Sequence, residues 1–184
     1  MITQFISSFL LIAGSSRECF VYLFNWKPSY YVITSPAIEE LLNAGTTVIC
    51  DRYAFSGIAF SASKVTTDGD PLLSFEWCKS PDIGLPAPDL VLFLDITPEK
   101  AKERGGYGEE RYEKEEMQKR VRKIFHRIGG EEMVLGDENF SARWVTVNAG
   151  RDRDAVAKDV WTLVENLVTK GVKGPVQKLW STEN

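Results

Sequence analysis

The sequence predicts an α/β fold, a parallel sheet with helices on both faces. Three observations carry that expectation. Short runs rich in β-branched and apolar residues, Thr46–Cys50, Leu90–Ile96 and Trp144–Asn148, read as buried strands. Stretches with apolar residues at helical spacing separate them. Strands that alternate with helices lie parallel, each joined to the next by a crossover.

Ser35 is a suitable N-cap with Pro36 at the first helical position, and Ile38, Leu41 and Leu42 then form an apolar stripe. Gly45 is the expected stop before the strand that ends at Asp51. Pro86 and Pro88 introduce the second strand, after which Thr97-Pro98 opens a helix that Gly105-Gly106 closes. The charged stretch Glu109–Arg122 reads by default as a solvated helix face. Met117, Val121, Ile124, Phe125 and Ile128 supply its helical apolar spacing. After the third strand, Val156, Val160, Leu163, Val164, Leu167 and Val168 mark a last helix that stops at Gly171. The apolar run Phe9–Gly14 is either a buried strand or a short helix, because periodicity does not separate the two.

Composition narrows the function classes. A chain of 184 residues with 43% hydrophobic and 26% charged residues is an ordinary globular domain, not a disordered, collagenous or coiled-coil protein. Its formal charge of −4 argues against nucleic acid or an anionic membrane as the main partner. Cys19, Cys50 and Cys78 are odd in number and widely spaced, so a reducing, cytoplasmic setting is expected, with the nucleus as an alternative. No apolar run approaches the roughly 20 residues of a membrane span. His126 is the single histidine; it is expected on the partly exposed side of its helix and is assigned no catalytic role.

In an open parallel sheet, ligands bind beyond the carboxyl ends of the strands. Asp51-Arg52, Asp95 and Asn148-Ala149-Gly150 stand at those three ends. A carboxylate ending a buried strand can hold water on a magnesium ion, and an adjacent guanidinium can grip a phosphate bidentately. A local ion pair would explain the Asp51-Arg52 dipeptide equally well. Arg104-Gly-Gly-Tyr-Gly-Glu-Glu-Arg-Tyr112 has the glycines and arginines of a lid that closes over phosphates, or those of a solvated loop.

Asp51-Arg-Tyr-Ala-Phe-Ser-Gly-Ile-Ala-Phe-Ser-Ala-Ser-Lys64 resembles the DRY segment of thymidylate kinases. Glu76-Trp-Cys-Lys79 with Pro81-Asp-Ile-Gly-Leu-Pro-Ala-Pro-Asp-Leu-Val-Leu-Phe-Leu94 is similar to the following strand in the eukaryotic type, and Arg104–Tyr112 to the lid. The resemblance runs from about Ser35 to Trp180. It implies a three-layer α/β/α kinase fold of the P-loop type and transfer of phosphate from ATP to thymidine 5′-monophosphate, with Mg2+. It also implies a domain over 35–180 with a lid at about 97–118, a divergent segment 1–34, a tail at 181–184, and a homodimer. By position, Arg52 would bind the acceptor phosphate and Asp51 would act on magnesium through water. Ser56, Gly57 and Phe60 would line the monophosphate pocket, Tyr112 and Gln118 would approach the nucleoside, and Arg104 and Arg111 would serve the ATP side and lid. Asn148, Ala149 and Gly150 would lie near adenine.

One departure stands out. The family's phosphate-binding loop, G-x-x-x-x-G-K-S/T, does not occur in these residues, where Gly14 is followed by Ser15-Ser-Arg-Glu18. That loop cradles the donor phosphates and orders magnesium, so impaired transfer is expected. A catalytically inactive, truncated product that keeps a nucleotide cleft or dimer surface is the alternative. Phe20–Lys27 is only loosely similar to the family's base-reading helix, and no base-reading residue is assigned. The missing strand is central in the family's sheet, and Phe9–Ala13 is expected to take its slot.

Overall fold

The structure, a computed structural model, describes residues 7–12, 23–25, 31–104, 115–132 and 143–181. One five-stranded sheet organises them, from β1 (Ser7–Ile12), β2 (Leu23–Asn25), β3 (Val48–Asp51), β4 (Leu90–Asp95) and β5 (Arg143–Asn148), in the order β2-β3-β1-β4-β5. The helices are α1 (Tyr31–Asn43), α2 (Ala54–Ala62), α3 (Phe75–Lys79), α4 (Pro98–Glu103), α5 (Glu115–Arg127) and α6 (Arg153–Lys170).

β4 shows why the fold has three layers. Alternate side chains of a strand point to opposite faces. Val91 and Phe93 accordingly enter a core with α1, α2 and α5, whereas Leu90 and Leu92 pack with the apolar stripe of α6. The first core is the larger. Phe93 stacks on Phe125 at 4.7 Å, and Phe55 meets Trp144 edge-on at 5.6 Å. Such aromatic pairs add about 0.5–1.5 kcal/mol each beyond area burial. A Cβ at Gly129, just past α5, would fall inside the Trp144 indole, so close approach demands glycine there.

The central slot is filled as expected by the apolar run near the amino terminus, but the strand is reversed. β2 is parallel to β3 and β4 to β5, whereas β1 runs antiparallel to both β3 and β4. The expected parallel sheet is thus present as four parallel strands, with one antiparallel strand between β3 and β4. Direction is free to differ because either orientation satisfies the backbone groups of both neighbours.

Several caps follow the sequence. Thr97 accepts from the Lys100 amide at 3.4 Å with Pro98 behind it, and Gly45 and Gly171 leave their helices at φ 86° and 67°. α1 differs. It starts at Tyr31, so Pro36 lies inside it and Ser35 is no cap; the Ser35 hydroxyl donates to Glu39 Oε1 at 3.3 Å. A proline removes only one helical bond, and burial of Ile38 and Leu42 holds the register. The closing glycines at 105–106 and residues 105–114 of the proposed lid lie outside the described residues.

The segment before β4 buries Asp82, and desolvation pushes its carboxyl from 3.8 up to about 7. Between those values the folded chain holds a proton that the unfolded chain has lost, so stability falls as pH rises through this window and stays lowered above it. Asp82→Asn is expected to raise the melting temperature at pH 8 and to leave it unchanged at pH 4. Melting curves at the two pH values check this, and an equal shift at both would count against a buried, proton-holding carboxyl.

Candidate functional site

Two groups of polar side chains stand at the carboxyl edge of the parallel strands. The first grows from the end of β3. Val48 and Cys50 face the larger core, and burial pushes the Cys50 thiol up to about 12, leaving it unreactive. Strand alternation sends Ile49 and Asp51 to the opposite face. Asp51 Oδ1 is buried and has no hydrogen-bond partner among the described residues. A buried carboxylate oxygen left without a donor is costly unless a ligand or cation meets it.

Arg52 turns the chain from β3 into α2 with a left-handed backbone, φ 67°. Few residues other than glycine adopt that region, and such strain gathers at binding sites. The turn lays the guanidinium along α2, its carbon 5.9 Å from the centroid of the Phe60 ring. Ser56 and Phe60 share a helix stripe at i, i+4 spacing, with Ser56 buried and Gly57 and Phe60 half-buried. Gln118 is buried on α5, which lies against α2; Arg120 Nε donates to Ser63 O at 2.9 Å across that contact. Arg52, Ser56, Gly57 and Phe60 thus lie along α2, with Asp51 at the end of β3 just before it and Gln118 on the neighbouring helix.

The second group surrounds the ends of β4 and β5. Asp95 accepts a fork from Arg122, Nε to Oδ1 at 2.6 Å and Nη2 to Oδ2 at 2.7 Å, and His126 Nε2 lies 3.2 Å from Oδ2. Arg104 Nη2 donates to the carbonyls of Ala149 at 2.5 Å and Arg151 at 2.7 Å, bracing the turn after β5 against α4. The Gly150 amide donates to Asn148 Oδ1 at 2.9 Å, which tightens the same turn. Between them is a cavity of about 450 Å³ lined by Asp95, Lys100, Arg122, Asn148, Gly150 and Arg151, among others. Its charged lining is three cations and one carboxylate; Arg122 pairs with Asp95, Lys100 with Glu103 at 2.7 Å and Arg151 with Asp159, so an anion would have to share these cations with their carboxylates.

Register relates the groups. Phe9 pairs with both Asp51 and Leu92, so β4 runs three residues past the end of β3. At 3.3 Å per residue that is a step of about 10 Å. The first group lies at the foot of the step and the second at its top.

Of the residues expected from sequence, Arg104 is engaged with backbone carbonyls and Ala149 is buried, while Asn148 and Gly150 face the cavity. Arg111 and Tyr112 lie outside the described residues. Sequence reading overlooked Lys100, Arg122 and Arg151. The available signal was spacing: Gln118, Arg122 and His126 fall at i, i+4 and i+8 on one stripe of α5, which a default solvated face concealed. Among the described residues no three His, Cys, Asp or Glu side chains form a metal cluster, and no helix is long and apolar enough to cross a membrane.

Asp95→Asn is expected to cost about 1–3 kcal/mol in chemical denaturation, because it leaves a half-buried guanidinium without its partner. Arg122→Gln in that background should add little. A strictly additive loss would show that the fork contributes nothing as a pair.

A family model described as thymidylate kinase matches residues 6–160, beginning well upstream of Ser35. The thymidylate kinase of Danio rerio is 37% identical over 179 residues, covering 97% of this chain and 77% of the relative. That of Schizosaccharomyces pombe is 49% identical over 130 residues, 71% of this chain and 56% of the relative. That of Arabidopsis thaliana is 44% identical over 146 residues, 79% of this chain; the chain thus spans about half, 49%, of that relative's length. A solved thymidylate kinase from Candida albicans superposes with a TM-score of 0.65 at 30% identity, over 83% of this chain and 69% of that one.

Proposed function

The chain belongs to the thymidylate kinase family, and from that premise we propose that its Asp51-Arg52 corner binds the phosphate of thymidine 5′-monophosphate as phosphoryl acceptor. The observation that carries this reading is the left-handed Arg52 turn with its guanidinium over Phe60, following directly on Asp51, whose buried oxygen has no partner among the described residues. Thymidylate kinases use ATP as donor, generally with Mg2+. The reaction proposed for the corner is therefore ATP and thymidylate going to ADP and thymidine diphosphate.

Phosphoryl transfer asks little covalent chemistry of a protein; it asks for position and for charge at the transferring oxygens. Arg52 supplies a fixed fork for two acceptor-phosphate oxygens. Phe60 offers an apolar wall, and Ser56 and Gly57 keep the helix slim beside it. Gln118, and Tyr112 from the lid, serve the nucleoside. On the donor side, Lys100, Arg122 and Arg151 would turn from their carboxylate partners Glu103, Asp95 and Asp159 to a polyanion, while Arg104 steadies the Asn148–Gly150 turn against which the donor base would lie. Arg111 belongs to the lid.

Magnesium commonly takes one or two carboxylates and completes its shell with water and substrate phosphates. Asp51 fits that role, since its free buried oxygen can accept from a metal-bound water. Bound there, the ion would screen the charge of the reacting phosphates. By family the protein would act in the cytoplasm or nucleus, as a homodimer.

Transfer by this chain alone should be weak. It carries no Gly-Lys-Ser/Thr, and β1, in the central slot, leaves the sheet at the edge away from Asp51. A reading in which the chain binds thymidylate without turning it over follows from the same reversal.

A coupled assay with thymidylate, ATP and magnesium, run beside calorimetry, tests both parts. Turnover far below the about 1–100 per second of working kinases is expected. Turnover in that range would overturn the expected impairment. Arg52→Ala should weaken thymidylate binding about 10- to 100-fold, the loss of charged hydrogen bonds, and leave thymidine unaffected. Equal thymidylate affinities would remove Arg52 from the site.

A further inference from the structure

A left-handed arginine persists only where its surroundings over-determine it. On its amino side Arg52 is fixed by the β3 ladder, in which Asp51 pairs with Phe9 and Asn25. On its carboxyl side it is fixed by Tyr53, 4% exposed, whose hydroxyl donates to Pro86 O at 3.0 Å. Burial pushes that phenol well above its ordinary range, so the proton stays and the hydroxyl remains a donor.

Pro86 is itself gripped from the far end of the chain. Its bridge partner is Lys178. Around it Gly84 N donates to Leu179 O at 2.8 Å, Leu179 N to Leu85 O at 2.8 Å and Ala87 N to Gln177 O at 2.7 Å. Leu179 is fully buried in the core that holds Tyr53 and Phe55, and Trp180 meets Phe55 edge-on at 5.8 Å. Lys178 pairs with Glu39 of α1. The route from Lys178 to Arg52 is thus continuous through Pro86 and Tyr53.

We propose that the carboxy-terminal segment Val176–Trp180 is a positioning clasp for Arg52, holding through Pro86 and Tyr53 the turn that aims its guanidinium at the acceptor phosphate. The clasp rests on the acceptor-site reading for its purpose, but its mechanics do not. Val176–Trp180 touches no reacting atom; it acts through backbone geometry.

Tyr53→Phe keeps the ring and removes the tether, and Leu179→Ala loosens the clasp at its buried anchor. Amide hydrogen exchange and calorimetry are measured on both variants. Exchange should quicken across Cys50–Ala54 and stay unchanged in β5. Thymidylate affinity should fall about fivefold in Tyr53→Phe, the scale of one hydrogen bond, while thymidine affinity stays level. In an Arg52→Ala background the same change should cost nothing.

Quickened exchange throughout the sheet, or none at Arg52, overturns the clasp, and so does an equal affinity loss with and without the arginine. If the wild type binds no thymidylate yet Cys50–Ala54 alone responds in exchange, the acceptor reading fails and the clasp stands.

Discussion

The sheet depends on one hydrogen-bonding constraint. β3 and β4 run parallel to each other and are too far apart to pair, so each presents a row of amides and carbonyls to the gap between them. Left empty and dry, those groups would cost about 1–3 kcal/mol apiece. β1 removes the cost by pairing with both. Phe9 sits level with Asp51 on one side and Leu92 on the other, and this register fixes the height of the step at the ligand edge. Both polar groups of the site take their relative positions from that strand.

The constraint specifies that a strand is present, not which way it runs. Antiparallel pairing fills the ladder as well as parallel pairing does, so the fold tolerates the reversal. Function is more demanding. A parallel strand would deliver the following residues to the carboxyl edge, beside Asp51; the antiparallel one delivers Ile12 to the amino-terminal edge, opposite Val48. The proposed acceptor corner, built from β3 and α2, is indifferent to this difference, and so is the cavity built from β4, β5, α4 and α5.

The parts legible in the sequence were those governed by local rules. β4 and β5 announce themselves by β-branched and apolar runs, Thr97-Pro98 by cap chemistry, and Gly45 and Gly171 as the residue type that most easily ends a helix in a left-handed turn. The place of Asp51 and Arg52 at the end of a buried strand was legible too, because that strand is β-branched and apolar up to Cys50. The rest was decided by contacts distant in sequence. α1 runs through Pro36 because the burial of Ile38 and Leu42 outweighs one missing amide bond. The direction of β1 is invisible to periodicity, since side-chain alternation is the same in either direction. Arg122 was concealed among charges, and only its meeting with Asp95 distinguishes it from solvated neighbours such as Lys119.

Arg52 shows how a site can be costly locally and stable globally. Glycine would take the left-handed turn without strain, but it has no guanidinium to offer a phosphate. Arginine has the guanidinium, and on its own would relax to an ordinary φ, swinging the fork off Phe60. The requirement for charge and the requirement for geometry are therefore met by different parts of the chain. The side chain at 52 supplies the charge, and Tyr53, Pro86 and the buried Leu179 anchor supply the geometry from residues far away in sequence. This division explains why a segment remote from the ligand edge is threaded into the core beside α2, and why the hydroxyl of Tyr53 is kept in a position where a phenyl ring alone would pack.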